Sequence, residues 1–190
     1  MGPSGRETWP MQPTVVSLHR NADHTFSKGA VEEVTLIAGV GIEGDAHAGA
    51  TTQHLSRQKK DPNRPNLRQV HLVAREVHEG LLADGFDVPG GGFGENITTR
   101  GLELGELPVG TTLRLGTDAI IVLTGFRDPC AQIDRAHEGL RAAVSFKPEV
   151  GPMLFRNGVM AMVVRGGTVR VGDEIGVALP TEPHQPMQKV

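Results

Sequence analysis

The chain has no tyrosine, one tryptophan and one cysteine among its 190 residues. Each scarcity excludes something. With aromatic residues at 4% of the sequence, few side chains remain on which nucleic-acid bases could stack. The net charge of −3 gives no bulk basic field, so nucleic acid is not an expected partner. One cysteine cannot close an internal disulfide, which argues against a secreted, disulfide-stapled scaffold. No uninterrupted apolar stretch approaches the roughly 20 residues of a membrane span, and the opening Met1-Gly2-Pro3-Ser4-Gly5-Arg6 lacks an apolar leader core. A soluble, cytoplasmic protein with no membrane partner is the expectation.

The sequence is rich in glycine and proline, 25 and 13 residues, without a strict period. Together with many short β-rich runs, this points to a tight-turned β architecture. The length suits one domain, read here as residues 14–179, with a flexible lead-in over 1–13 and a free, proline-bearing tail over 180–190. Strands are expected over residues 14–18, 31–37, 69–72 and 157–165. Val73, Val77 and Leu81 recur at the spacing of one helix face, predicting a helix that ends near Asp84-Gly85. Residues 109–115 and 171–177 share a Val-Gly-turn-apolar pattern, which predicts two similar hairpins in one barrel. His71 and His78 read as structural.

The chemistry centres on Ala119-Ile120-Ile121-Val122-Leu123-Thr124-Gly125-Phe126-Arg127-Asp128-Pro129-Cys130. The β-branched run up to Leu123 predicts a strand buried on both faces. Asp128 and Pro129 then form a helix-start signal. Ile133, Ala136, Leu140 and Val144 continue the helical spacing, which places Cys130 in the first turn. There the helix dipole and Arg127 would lower the thiol pKa from about 8.5 into the range of roughly 3.5 to 7.5. A lone cysteine is most often a small buried hydrophobe. Its place at a strand-to-helix junction beside charged residues favours a nucleophile or soft metal ligand instead.

Two glycine-rich stretches flank this chemistry. Residues 39–49, Gly-Val-Gly-Ile-Glu-Gly-Asp-Ala-His-Ala-Gly, carry Asp45 and His47 but match neither a phosphate-binding P-loop nor a dinucleotide fingerprint. His47, His54 and Cys130 could complete a zinc site, although the spacing is unlike the usual zinc motifs. Residues 89–94 lead into Glu95 and Asn96, which either contribute to a pocket or cap a turn. Between these stretches, residues 51–68 hold Arg57, Lys59, Lys60, Arg64 and Arg68 against one acid, Asp61. This segment is either a solvated loop or an anion-facing flap over a phosphate-bearing ligand.

Taken in order, the block over 39–49, Gly94-Glu95-Asn96-Ile97-Thr98-Thr99-Arg100-Gly101, Arg127-Asp128-Pro129-Cys130, and Gly158-Val159-Met160-Ala161 to Val171-Gly172-Asp173-Glu174 resemble the MOSC domain family, over residues 29–179. The family is named after the C-terminal domain of molybdenum-cofactor sulfurase, and the chain looks like a stand-alone bacterial-type member. The resemblance implies a mainly β fold, a closed or partly open β-barrel similar to the β-barrel domain of pyruvate kinase, with a few peripheral helices. It also implies a molybdenum cofactor (molybdopterin), with Cys130 as the molybdenum ligand or persulfide carrier. Arg127 belongs to the cysteine motif, and Asp45, His47, Gly94, Glu95, Asn96 and Thr98 fall in the blocks expected around the cofactor. Asp128 stands where relatives often have Asn. Three activities follow as expectations: reduction of N-hydroxylated small molecules with electrons from a separate reductase, sulfur transfer from a sulfur donor through Cys130, or non-catalytic binding of the pterin cofactor.

Overall fold

The computed structural model describes residues 11–25, 27–129, 132–146 and 154–190. Strands β1 (Thr14–Arg20) and β2 (Gly29–Val31) pair antiparallel, as do β3 (Glu33–Ile37) and β4 (Gly41–Ile42). A short helix, α1 (Leu55–Gln58), precedes β5 (Val70–Ala74), which runs directly into helix α2 (Arg75–Ala83). Helix α2 begins the crossover to β6 (Ile97–Arg100), which lies parallel to β5; parallel neighbours require a long connection of this kind. Strands β7 (Thr112–Leu115) and β8 (Ala119–Phe126) follow, then helices α3 (Gln132–Ala136) and α4 (Leu140–Ala143). The chain ends with β9 (Ser145–Phe146), β10 (Leu154–Phe155), β11 (Val159–Arg165), β12 (Gly167–Arg170) and β13 (Ile175–Ala178).

Eight strands form the main sheet in the order β13-β7-β8-β11-β5-β6-β1-β2, and β12-β3-β4 form a second. The fold is mainly β with few helices. Among the described residues its sheets do not close into one barrel, which corrects the closed form of the expectation. The gap lies between β13 and β1, where the ladder is reduced to a single bridge, Thr14 opposite Glu174. Just beyond it β1 bulges between Val15 and Ser17, and past the bulge it pairs with β6 on one side and β2 on the other.

The main core fills from alternating side chains. Leu18, Leu72, Ile97, Leu113, Leu115 and Ile121 are all fully buried, and each contributes roughly 1.5–3 kcal/mol by leaving water. A second cluster forms where α2 and α4 cover the sheet, with Val73, Leu81, Phe93, Ile133, Leu140 and Val144 in contact.

Several expectations change in detail. Strand β8 alternates between buried and half-buried positions over most of its length, so it has one buried face and not two. The strand expected over 31–37 breaks at Glu32, because Val31 pairs with Leu18 in the main sheet while Glu33 pairs with Arg170 in the second. Two consecutive exposed glutamates, Glu32 and Glu33, interrupt the two-residue alternation at the switch. The single helix expected after Cys130 is divided into α3 and α4, since Gly139 takes a φ of 83° between them. The first Val-Gly segment enters a hairpin, β7 with β8, whereas the second does not, since β12 and β13 belong to different sheets; the two segments' strands β7 and β13 pair with each other, Leu115 opposite Ile175.

Residues 180–190 are not a free tail. Met187 is buried, Phe126 N–H donates to Gln188 O at 2.8 Å, and Lys189 lies opposite Phe126 in a parallel bridge. Among the described residues, no helix is long and apolar enough to cross a membrane.

Candidate functional site

Arg127 follows β8 immediately, and its N–H donates to Gly158 O at 3.0 Å. The Asn157 amide faces it as well; in the orientation that satisfies both groups, it accepts from the guanidinium at 3.3 Å and donates to Arg127 O at 3.2 Å. Asp128, read from sequence as part of a helix-start signal, pairs with Lys189 at 3.0 Å. Cys130 lies outside the described residues.

Beneath Arg127 runs a chain of buried polar groups. Asp45 Oδ2 accepts from Lys28 Nζ at 2.7 Å and from Asn96 Nδ2 at 2.9 Å, while Asp45 Oδ1 accepts from the His47 N–H at 3.0 Å. Burial alone would raise the Asp45 pKa, but the His47 and Lys28 donors hold it well below the usual carboxylate range. Lys28 is shifted down by burial, and Asp45 partly offsets this. Asn96 also joins the strands, because its Oδ1 accepts from the His71 N–H at 3.2 Å.

Glu95 is fully buried and organises the glycine-rich turn. It accepts from Gly91 N–H at 2.7 Å and Phe93 N–H at 3.0 Å, and lies 3.0 Å from His78 Nε2. Burial opposes its ionisation, yet the His78 contact brings its pKa down to about 2. Gly91 fits here because any Cβ would collide with Lys28 O and His19 Nδ1, and its φ is 78°.

Arg57 and Arg68 converge nearby, both donating to Val190 O. Burial lowers the His54 pKa, and the fields of Arg68, His47, Arg57 and Arg127 lower it further. His54 thus lies in the fields of three guanidinium groups that disfavour its protonation. Such a cluster can hold an oxyanion through charge-assisted hydrogen bonds.

A MOSC domain family model matches residues 47–176. The chain belongs to the MOSC family. Among solved structures, the YuaD protein from Bacillus subtilis aligns with a TM-score of 0.70 and 22% identity, covering 90% of this chain and 98% of that one. YiiM from Geobacillus stearothermophilus aligns with a TM-score of 0.64 and 17% identity, covering 92% and 79%. YiiM from Escherichia coli gives 0.58 and 20%, covering 93% and 74%. These likenesses establish the MOSC fold. No curated protein matches significantly.

The MOSC chain separates the residues proposed from sequence into two groups. Asp45, His47 and Asn96 are brought together by the tertiary structure, and Arg127 connects to them through Asn157 and His71. Glu95 and Thr98 are sealed inside, with Glu95 bound to its own turn and the Thr98 hydroxyl buried without a partner among the described residues. Gly94, with a φ of 75°, closes the turn above Glu95 through its N–H to Gly91 O. Lys28 and Asn157 were missed, while His71, read from sequence as structural, is buried with its Nε2 2.8 Å from Asn157 O. Nothing local marks Lys28 or Asn157, since each acquires its role from a partner at least 17 positions away. Among the described residues, no three His, Asp or Glu side chains converge to hold a metal.

Proposed function

We propose that this MOSC protein binds a molybdopterin-type cofactor beside the Arg57, Arg68 and Arg127 rim, with Cys130 as the molybdenum ligand. The observation carrying the proposal is that Arg57 and Arg68 both donate to Val190 O, while Val190 N–H donates to Phe126 O beside Arg127. This set suits the phosphate of a pterin cofactor, and Arg127, directly after β8, stands three residues before Cys130, a soft ligand of the kind molybdenum prefers. The cofactor, when bound, supplies two-electron redox chemistry. The protein's residues bind and orient. Arg57 and Arg68 hold the anionic end, Arg127 is fixed by Asn157 and Gly158, and the Lys28-Asp45-Asn96 chain keeps the 39–49 loop in register.

The substrate class is an N-hydroxylated small molecule. Its N–O bond is cleaved with two electrons from a separate protein donor and two protons, leaving an N–H compound and water. The main sheet is read as a barrel left partly open between β13 and β1, in support of which Thr14 still bridges Glu174.

Metal and pterin analysis of protein made in a cofactor-competent host tests the proposal. Stoichiometric molybdenum and pterin in the natural sequence, with molybdenum lost in folded Cys130→Ala, is the expected result. Unchanged molybdenum in Cys130→Ala removes the ligand role. A cyanide-labile sulfur on Cys130 without metal would favour sulfur transfer, and bound pterin without turnover would favour a storage protein.

A further inference from the structure

We propose that Arg57 and Arg68 form an oxyanion subsite for a phosphate or diphosphate group, and that residues 185–190 of the same chain occupy it until the anion displaces them. The inference rests on reading the cationic rim as an anion site. Arg57 Nη2 donates to the main-chain oxygen of Val190 at 2.9 Å, and Arg68 Nη1 donates to the same oxygen. Two guanidinium groups eleven positions apart in the 51–68 segment thus converge on one acceptor. Within 51–68, Asp61 is the one acid, and its Oδ1 accepts from the Asn63 N–H. The convergence marks where an oxyanion would sit, and a phosphate offers several such oxygens to the same forks.

The occupying segment is docked along its length. Val109 N–H donates to Gln185 O at 3.0 Å, Phe126 N–H to Gln188 O at 2.8 Å, and Val190 N–H to Phe126 O at 3.3 Å. The side chain of Met187 is buried, while Lys189 pairs with Asp128 and lies 4.5 Å over the Phe155 ring. Gly125 allows the approach, because any Cβ there would collide with Gln188 O. The same segment therefore covers the end of the strand leading to Cys130 and engages two arginines of the rim. An anion taking those arginines removes the Val190 anchor. In turn, the docked segment lowers the apparent anion affinity by the fraction of time it is seated.

The test uses the full chain with inorganic pyrophosphate as probe. Calorimetry measures binding, and hydrogen–deuterium exchange follows the Phe126 and Val190 amides. Pyrophosphate is expected to speed exchange at both amides, and Met187→Ala, which loosens the segment, to bind it several-fold tighter. Arg57→Gln is expected to weaken binding about tenfold. Lys189→Ala, a half-exposed position, serves the same purpose should Met187→Ala fail to fold. Binding with unchanged exchange, and no gain in either segment variant, would overturn the displacement and leave the anion site standing. Absence of binding in the natural chain and in both segment variants would overturn both. Molybdenum retention through Cys130 is measured separately, so the two failures are distinguishable.

Discussion

Lys28 Nζ lies 2.7 Å from Asp45 Oδ2, with their side chains 3% and 0% exposed. An ion pair so deeply enclosed is costly to halve. Lys28→Met leaves a buried carboxylate without its counter-charge, and a loss of about 3–5 kcal/mol is expected. The double variant Lys28→Met/Asp45→Leu should recover a large part of that loss. Urea denaturation of the three proteins measures it, and a single variant as stable as the parent would show the pair to be of no structural consequence.

The pH response follows from groups buried in their less protonated forms. Burial and then Arg127 push the His71 pKa well below 6.5, and burial likewise lowers His19. As pH falls below about 6.5, the unfolded chain takes up these protons before the folded chain does, so stability declines. Glu95 acts lower on the scale. Its folded pKa of about 2 lies below the ordinary 4.5, so its contribution is complete above 4.5 and is lost as pH falls toward 2. Denaturation midpoints at pH 7.5, 6 and 5 should therefore decrease in that order, and a flat profile would contradict the buried-histidine account.

Two glycines should respond in opposite directions to alanine. Gly158 has a φ of 97°, and a Cβ there would lie 2.7 Å from His71 Nε2 and against Leu72 O. Gly158→Ala is expected to cost about 2 kcal/mol or more, from backbone strain together with the clash. Gly80 lies within α2 with open space around it, so Gly80→Ala should stabilise by about 0.8–1.0 kcal/mol through helix propensity. Thermal melts distinguish the two signs.

Arg127→Ala should raise the pH at which Cys130 becomes reactive, because a neighbouring cation favours the thiolate. Alkylation rate against pH is the measurement. An unchanged profile would mean that Arg127 does not act on the thiol.

Local pattern made much of this fold legible. Strands β1 and β11, helix α2 and its end at Asp84 could be read from alternation, i to i+4 spacing and a closing Asp-Gly, because these signals lie within a few residues of one another. The ordered blocks also identified the family. Partnership over distance was hidden. Glu95 looked as suited to a pocket as to a turn until the fold wrapped residues 91–93 and His78 around it. Residues 180–190 looked unattached because the groups that dock them, Val109, Phe126, Arg57 and Arg68, lie far back in the chain.

The sequence by itself determined that the chain is mainly β, glycine-turned and built on MOSC blocks, since periodicity and residue type are properties of neighbours. Only the tertiary structure decided which charges are buried together, where the sheets fail to close and which segment sits on the arginines. Those outcomes depend on pairings between distant residues, and burial makes such a pair costly to halve, by about 3–5 kcal/mol, because the partner left behind is a charge out of reach of water.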